Sequence, residues 1–492
     1  MMAMKKLLAL IPLASLHLAV AQVRDYDPSV QPVDRIQYFK PAESHLFVGD
    51  CMPFDYRGTF YLYWLIDEGH HAGLGGLGGH QWALSTSEDM VHWKHYPVAL
   101  GIDNDWEKSI CTGSVIDVDS AVYAFYSTRV KDDAGVHEQL SFAVSHDGGF
   151  NFEKQTPNPF FITPERYESR NFRDPKVFRG EDGAYHLFIS SYEKNIPLSG
   201  FGGCLVHLVS EDLKTWREVD PVLTGQVGVP ECSDYFLWKG WYYLLYSVGG
   251  DTYYVRSKKP FGPWEYPSSQ AFVEGWANVY KTAPLKDGRR VAAAFIPWRG
   301  DGRDHGWRNF GGNLLLREVF QGRDGMLYTR FLEEALPSAE PVPVSLFRSF
   351  GDRTPILKDD AFELAAPDGT QSAFLTDLPA NYRLTMTVDP RSSYDEAGLF
   401  IRAKDNADRG YKLELNALKR MVLLHNLRIE GVTGLDKKLT LDIVVREDMI
   451  DVCIGGRRCV VNRLPESKGR DVFFFVKNGT VEFRDLHLKK LN

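Results

Sequence analysis

Cysteine is scarce in this chain, with six in 492 residues. Thiols at positions 51, 111, 204, 232, 453 and 459 are too few to staple a chain of this length, so its stability must come from an apolar core. No Cys-x-x-Cys pair occurs, which leaves a structural zinc site without support. Cys453 and Cys459 flank Gly455-Gly456, a hairpin-turn signal. A two-residue turn there pairs Cys453 with Arg458 and turns Cys459 to the opposite face, against a disulfide between them. Dense basic stripes are also missing, and 57 Lys and Arg against 65 Asp and Glu give a net charge of -8, which excludes a nucleic-acid surface. Helical periodicity is rare, and no stretch beyond residue 21 approaches the length of a membrane span.

The one long apolar run is at the start. Lys5-Lys6 precede Leu7 to Val20, and Ala19-Val20-Ala21 ahead of Gln22 fits a small-x-small cleavage site. The run is too short to span a membrane and contains Pro12 and His17, and no cysteine follows it to carry a lipid. Residues 1–21 therefore read as a signal peptide, and the mature protein is expected in the periplasm or outside the cell.

Aromatic residues are plentiful at 13% and recur with a beat. Gly58 to Trp64, Ala121 to Ser127, Gly183 to Ile189 and Gly240 to Tyr246 are alike, each a turn residue followed by an aromatic-rich strand, and Gly288 to Phe295 is a weaker fifth copy. A second element keeps time with them: Ser87-Glu88-Asp89 leads to Trp93, Ser145-His146-Asp147 to Phe152, Ser210-Glu211-Asp212 to Trp216, and Ser257 to Trp264. Five copies of the strand, four of them trailed by a turn of this kind and an aromatic, predict a five-bladed β-propeller within residues 22–335. Composition changes at the proline-rich stretch from Leu336 to Pro343. Alternating strands such as Tyr382 to Val388 and Leu439 to Val445 follow, and predict a β-sandwich over residues 344–492. The expected fold is all-β.

In a propeller the early strands of all blades converge on one pocket, so residues distant in sequence meet there. Three acidic residues stand just ahead of repeat strands: Asp50 in Gly49-Asp50-Cys51, Asp174 in Arg173-Asp174-Pro175, and Glu231 in Glu231-Cys232-Ser233-Asp234. Singly, each has a structural alternative: an Asx turn, an Arg–Asp pair at a strand start, a solvated glutamate at a blade edge. Together they fit glycosidic bond cleavage, which needs two carboxyl groups in different protonation states flanking one bond. Pro175 biases Asp174 to an extended backbone, and Arg173 offers a fork for vicinal hydroxyls. The loop from Gly73 to Gly79 lacks the Lys-Ser/Thr of a phosphate loop and reads as a connection near the pocket rim. His70, His71 and His80 read as ordinary polar residues around it rather than metal ligands. Trp64, Trp82, Trp276 and Trp298 are candidates for stacking on a sugar face, with core packing as the alternative for each.

At these motifs the chain resembles the β-fructofuranosidases of glycoside hydrolase family 32, the invertases, levanases and inulinases, over nearly its whole mature length. The matching segments are Phe172 to Val177, Glu231-Cys232-x-Asp234, Gly79-His80-x-x-Ala83-x-Ser85 with Asp89 to Trp93, Thr112-Gly113-Ser114, Leu316-Arg317-Glu318, and Asn478 to Phe483. The family usually has Asn-Asp-Pro-Asn-Gly where this chain has Gly49 to Phe54: Asp50 is kept and the asparagines are not. The resemblance implies Asp50 as nucleophile, Glu231 as acid/base, Asp174 as stabiliser of the transition state, and Arg173, His80, Trp82, Ser114 and Trp298 as sugar contacts. It implies an oligo- or polysaccharide substrate and no metal or organic cofactor. The related family 43 arabinofuranosidases and xylosidases share the propeller and the acids but invert configuration; Arg173 and Cys232 favour the fructosidase side. A non-catalytic carbohydrate-binding propeller is the alternative of another class.

Overall fold

The computed structural model describes residues 35–492 apart from 197–199, 345, 351–355, 359–360 and 405–409. The expected signal peptide, residues 1–21, lies outside the described residues. Residues 46–330 form five antiparallel blades around an axis, and a β-sandwich follows. No helix among the described residues is long and apolar enough to cross a membrane.

Each aromatic repeat is the second strand of a blade, and its composition follows from where it sits. Thr59–Glu68 is buried on both faces. Phe60, Leu62, Trp64 and Ile66 enter one core cluster, while Tyr61, Tyr63 and Leu65 enter another. A strand sandwiched between neighbouring blades reads as a continuous apolar run, and each such side chain contributes about 1.5–3 kcal/mol of burial. The Ser-x-Asp signals are built turns. Ser87 Oγ accepts the Met90 N–H at 2.9 Å and Asp89 Oδ1 accepts the His92 N–H at 2.8 Å. Asp147 and Asp212 take the same part in their turns.

Blades one to three are four-stranded. Blade four has three strands and an isolated bridge between Arg256 and Glu265. Blade five, residues 278–330, meets blade one where Val48 faces Gly312. The entering chain seals that junction: the Tyr38 N–H donates to Leu314 O at 2.9 Å, and the Leu314 N–H to Phe39 O at 2.8 Å.

In the sandwich, the 21-residue strand Asp471–Leu491 serves both layers. Its first part pairs with Glu396–Ala403, its later part with Tyr382–Pro390. Leu384, Leu399, Ile443, Val452 and Phe474 fill the space between. The junction departs from expectation, because Ala339–Val342 is a strand paired with the end of Asp471–Leu491, so the sheet begins before residue 344. The hairpin at Gly455-Gly456 departs as well: its loop holds three residues, 455–457, which sets Cys453 directly opposite Cys459 and Ile454 opposite Arg458. Both cysteines are buried free thiols.

The two bodies are joined by a buried ion network. Arg317 of blade five donates to both oxygens of Asp451 in the sandwich, at 2.9 and 2.7 Å, and to Glu274 at 2.9 Å. Tyr38 Oη donates to Asp451 at 2.8 Å.

Candidate active site

The innermost strands are Leu46–Tyr56, Glu107–Val118, Arg173–Arg179, Glu231–Trp238 and Asn278–Pro284. Each has a bulge at the same register, where two residues stand against one on the next strand: 49–50, 111–112, 174–175, 232–233 and 279–280. A bulge breaks the strict alternation of a strand and re-aims side chains. Asp174, Cys232 and Val279 accordingly take φ of 55°, 52° and 52°, so the bulge overrides the extended backbone expected of Asp174 before Pro175. For a β-branched residue such as Val279 that conformation costs on the order of 1–3 kcal/mol, which the surrounding blades must offset. The cavity at the axis, about 700 Å³, is lined from these strands by Asp50, Thr112, Arg173, Asp174, Glu231, Cys232 and Asn278, each in a bulge or immediately before one.

Cys232 ties the acids together. Its Sγ lies 3.5 Å from Asp50 Oδ2 and 3.6 Å from Asp174 Oδ2, and its N–H donates to Asp174 Oδ2 at 3.1 Å. Burial, with Asp174 and Asp50 beside it, pushes this thiol well above its ordinary range, so it stays protonated and donates. Thr112 Oγ1 donates a short hydrogen bond to Asp50 Oδ2, and the Asp174 N–H donates to Ser127 Oγ at 2.8 Å. Arg173 grips Glu231 Oε1 at 2.6 Å, and its Nε stands 3.8 Å from both Asp174 Oδ2 and Glu138 Oε2.

Burial raises the Asp50 carboxyl to about 7; the Thr112 hydrogen bond works against that, and the charges of Asp174 and Glu231 add to it. Burial also raises Asp174, with the Arg173 guanidinium opposing. Burial disfavours the charge on Arg173, yet Glu138, Asp174 and Glu231 around it hold it firmly protonated. Beneath the acids, Lys176 pairs with Asp234 at 2.6 Å, and buried Lys281 donates to Gly113 O at 2.8 Å.

Of the residues singled out in the sequence, Asp50, Asp174, Glu231, Arg173 and His80 line this cavity. Trp82 does not: it is fully buried, its Nε1 donating to Cys111 O at 2.8 Å. Ser114 is a tie between blades two and three, donating to Pro175 O at 2.7 Å and accepting from the Val177 N–H at 2.8 Å. Trp298 packs off the cavity, with Arg463 4.4 Å above its ring and Phe47 against it. Trp64 and Trp276 are buried too. The aromatic that does line the cavity is Phe310, which no repeat or motif marks. Gly49 makes room for it, since a Cβ there would stand 2.8 Å from the Phe310 ring. Arg129, Glu138 and Arg308 also line the cavity without a signal in sequence, whereas Thr112 lies in a motif already noted.

Residues 51–267 match the model for the glycosyl hydrolases family 32 N-terminal domain. This stretch is a family 32 N-terminal domain. The chain is 31% identical over 183 residues to the sucrose-6-phosphate hydrolase of Bacillus subtilis, covering 36% of each. It is 29% identical over 294 residues to the raffinose invertase of Escherichia coli, covering 54% of this chain and 58% of that one. The aligned part thus spans less than two thirds of these curated relatives. The fold is that of fructan 1-exohydrolase IIa from Cichorium intybus, at a TM-score of 0.71 and 16% identity over 94% of this chain and 98% of that one.

Proposed function

We propose that this chain is an exported glycoside hydrolase of family 32 that removes terminal furanosyl units, β-fructofuranosides of the sucrose or fructan type foremost, by double displacement with retained configuration. The observation that carries it is the thiol of Cys232 within 3.6 Å of both Asp50 and Asp174, with Glu231 one residue away on the same strand. Three carboxyl groups on three blades converge there on one cavity. The relatives named sucrose-6-phosphate hydrolase and raffinose invertase support the fructoside class.

In this mechanism Asp50 attacks the anomeric carbon while Glu231 protonates the departing oxygen. Water, activated by Glu231 as base, then releases the sugar. Asp174, with Arg173, holds ring hydroxyls and stabilises the cationic transition state. Two local demands follow. Asp50 must lose the proton that burial favours, and Thr112 and Cys232 donate to its charged form. Glu231 must carry a proton, so Arg173 must leave it. Glu138 Oε2, buried and without a hydrogen-bond partner among the described residues, stands 3.8 Å from Arg173 Nε, ready to take it.

Product analysis on sucrose, inulin, levan and aryl arabinofuranosides, with the anomer followed by NMR, tests the proposal. Fructose released with retained configuration, and abolished in Asp50→Asn and Glu231→Gln, is the expected result. Inverted pentose would support the family 43-like alternative, and hydrolysis undiminished in both variants would remove the assignment. No turnover of any furanoside, with binding intact, would leave a carbohydrate-binding propeller.

A further inference from the structure

We propose that Asp67, His71 and His80 form a site for one divalent transition-metal ion of the zinc class, built into the cavity wall. The histidines flanking the glycine loop read in sequence as polar loop residues, and His70 stays outside the donor set, its Nδ1 engaged with Phe310 O at 2.7 Å and 4.0 Å from Asp67 Oδ2. In its place the end of a core strand supplies Asp67. One ligand atom from each of Asp67, His71 and His80 lies within 4.8 Å of the others.

Two nitrogens and a carboxylate oxygen are a zinc donor set, and with bonds of about 2.0–2.2 Å tetrahedral ligand atoms stand roughly 3.3–3.5 Å apart. His80 Nε2 and Asp67 Oδ1 stand 3.1 Å apart, so they need to part by only a few tenths of an ångström to admit the ion. A cation would replace the proton between them, which moves to the other ring nitrogen of His80. His71 closes the remaining gap, and its Nδ1 is buried with no hydrogen-bond partner among the described residues. Such an orphan costs about 1–3 kcal/mol, so this imidazole has a ring nitrogen to spare for a ligand.

The supporting groups are those a metal site needs. The N–H groups of His70 and His71 donate to Asp67 Oδ2 and Oδ1, each at 2.9 Å, and fix the carboxylate. Phe310 stacks on His71 at 4.1 Å and lies 5.1 Å from His80, fixing both rings. Three protein ligands leave a fourth position, and because His71 and His80 line the cavity, that position opens onto it. The ion would hold a water there, in space the sugar needs, so occupancy inhibits hydrolysis. Binding of the ion is independent of the hydrolase reading; only the inhibition rests on it.

The test is calorimetric titration of chelator-stripped, full-length protein with zinc chloride alone, with cobalt substitution followed by visible absorption. The expected result is one ion per chain, tetrahedral cobalt bands, and binding at least about tenfold weaker in His71→Phe, which keeps the stack on Phe310. His137→Gln, at the same cavity, should bind as wild type. Should His71→Phe fail to fold, His71→Gln is read instead by the thermal shift zinc produces, which must shrink relative to wild type. Absence of one-to-one binding at about millimolar zinc, or a His71 variant that binds as wild type, overturns the site. Zinc inhibition lost together with binding in the His71 variant supports the inhibitory role, whereas stoichiometric zinc without inhibition overturns that role and keeps the site.

Discussion

Thr112→Val isolates the group that lets Asp50 carry charge. Valine keeps the shape and the branch of threonine and removes only the hydroxyl that donates to Asp50 Oδ2. Asp50 is 8% exposed, so water cannot take over the donation freely. A hydrogen bond to a charged group is worth about 1.5–3 kcal/mol, and about 1.4 kcal/mol is one pKa unit. Burial already raises Asp50 to about 7 with the threonine in place, so without it the value should rise by roughly 1–2 units. The nucleophile must be ionised, so the acidic limb of kcat/KM should move from near 7 to between about 8 and 9. The assay is the pH profile of kcat/KM on an aryl β-fructofuranoside, with circular dichroism to verify the fold. At pH 6.5 the variant should be on the order of ten- to a hundredfold slower and should recover towards alkaline pH. Thr112→Ser should keep the wild-type limb. A limb that stays within about 0.3 units of wild type in folded Thr112→Val would refute the assignment of that limb to Asp50.

Stability should respond to the same carboxyl. Its folded value of about 7 lies above the 3.8 of the free side chain, so the folded chain binds the proton more tightly and stability falls as pH rises from about 4 to 7. Asp50→Asn removes that loss, and should raise stability by at most about 4 kcal/mol at pH 8 and by far less at pH 4.5, read as the difference in Tm between variant and wild type at the two pH values. Glu138→Gln takes away the second anchor for Arg173 and should lower kcat about 10- to 100-fold with KM nearly unchanged, in steady-state kinetics. Arg317→Met leaves Asp451 and Glu274 buried without their shared cation and should cost about 3–5 kcal/mol in urea unfolding, part of it recovered by Asp451→Asn in the same chain.

What was legible in the sequence was what repeats. The aromatic strands advertise the blades because burial on both faces demands the same residue types each time, and the Ser-x-Asp turns recur because each must satisfy the same backbone N–H groups. Asp50, Asp174 and Glu231 stand out because each lies on an inner strand at a nearly constant distance from the aromatic repeat. Contacts made once leave no such trace. Phe310 reaches the cavity only because Gly49 clears its path, and Glu138 sits on an outer strand next to Arg173 through the packing of neighbouring elements. The tryptophans mislead for the opposite reason: their large rings suit the interior between blades as well as a sugar, and Trp82 is held there by Cys111 O. Ser114 is drawn into tying two blades together. The register of the Cys453–Cys459 hairpin turned on one extra loop residue, Arg457, which composition does not reveal.

The shared bulge has an evolutionary corollary. Val48, Ile110, Arg173, Glu231 and Asn278 each occupy the rung immediately before the irregularity; Arg173, Glu231 and Asn278 line the cavity there, while Val48 and Ile110 are buried in the core. Two of them hold the guanidinium and the carboxyl that grip each other, two are aliphatic, and the fifth carries an amide. Replacing Asn278 alters what greets the incoming molecule from one direction without touching the frame that aims the others. A scaffold of this kind can drift between substrates one spoke at a time.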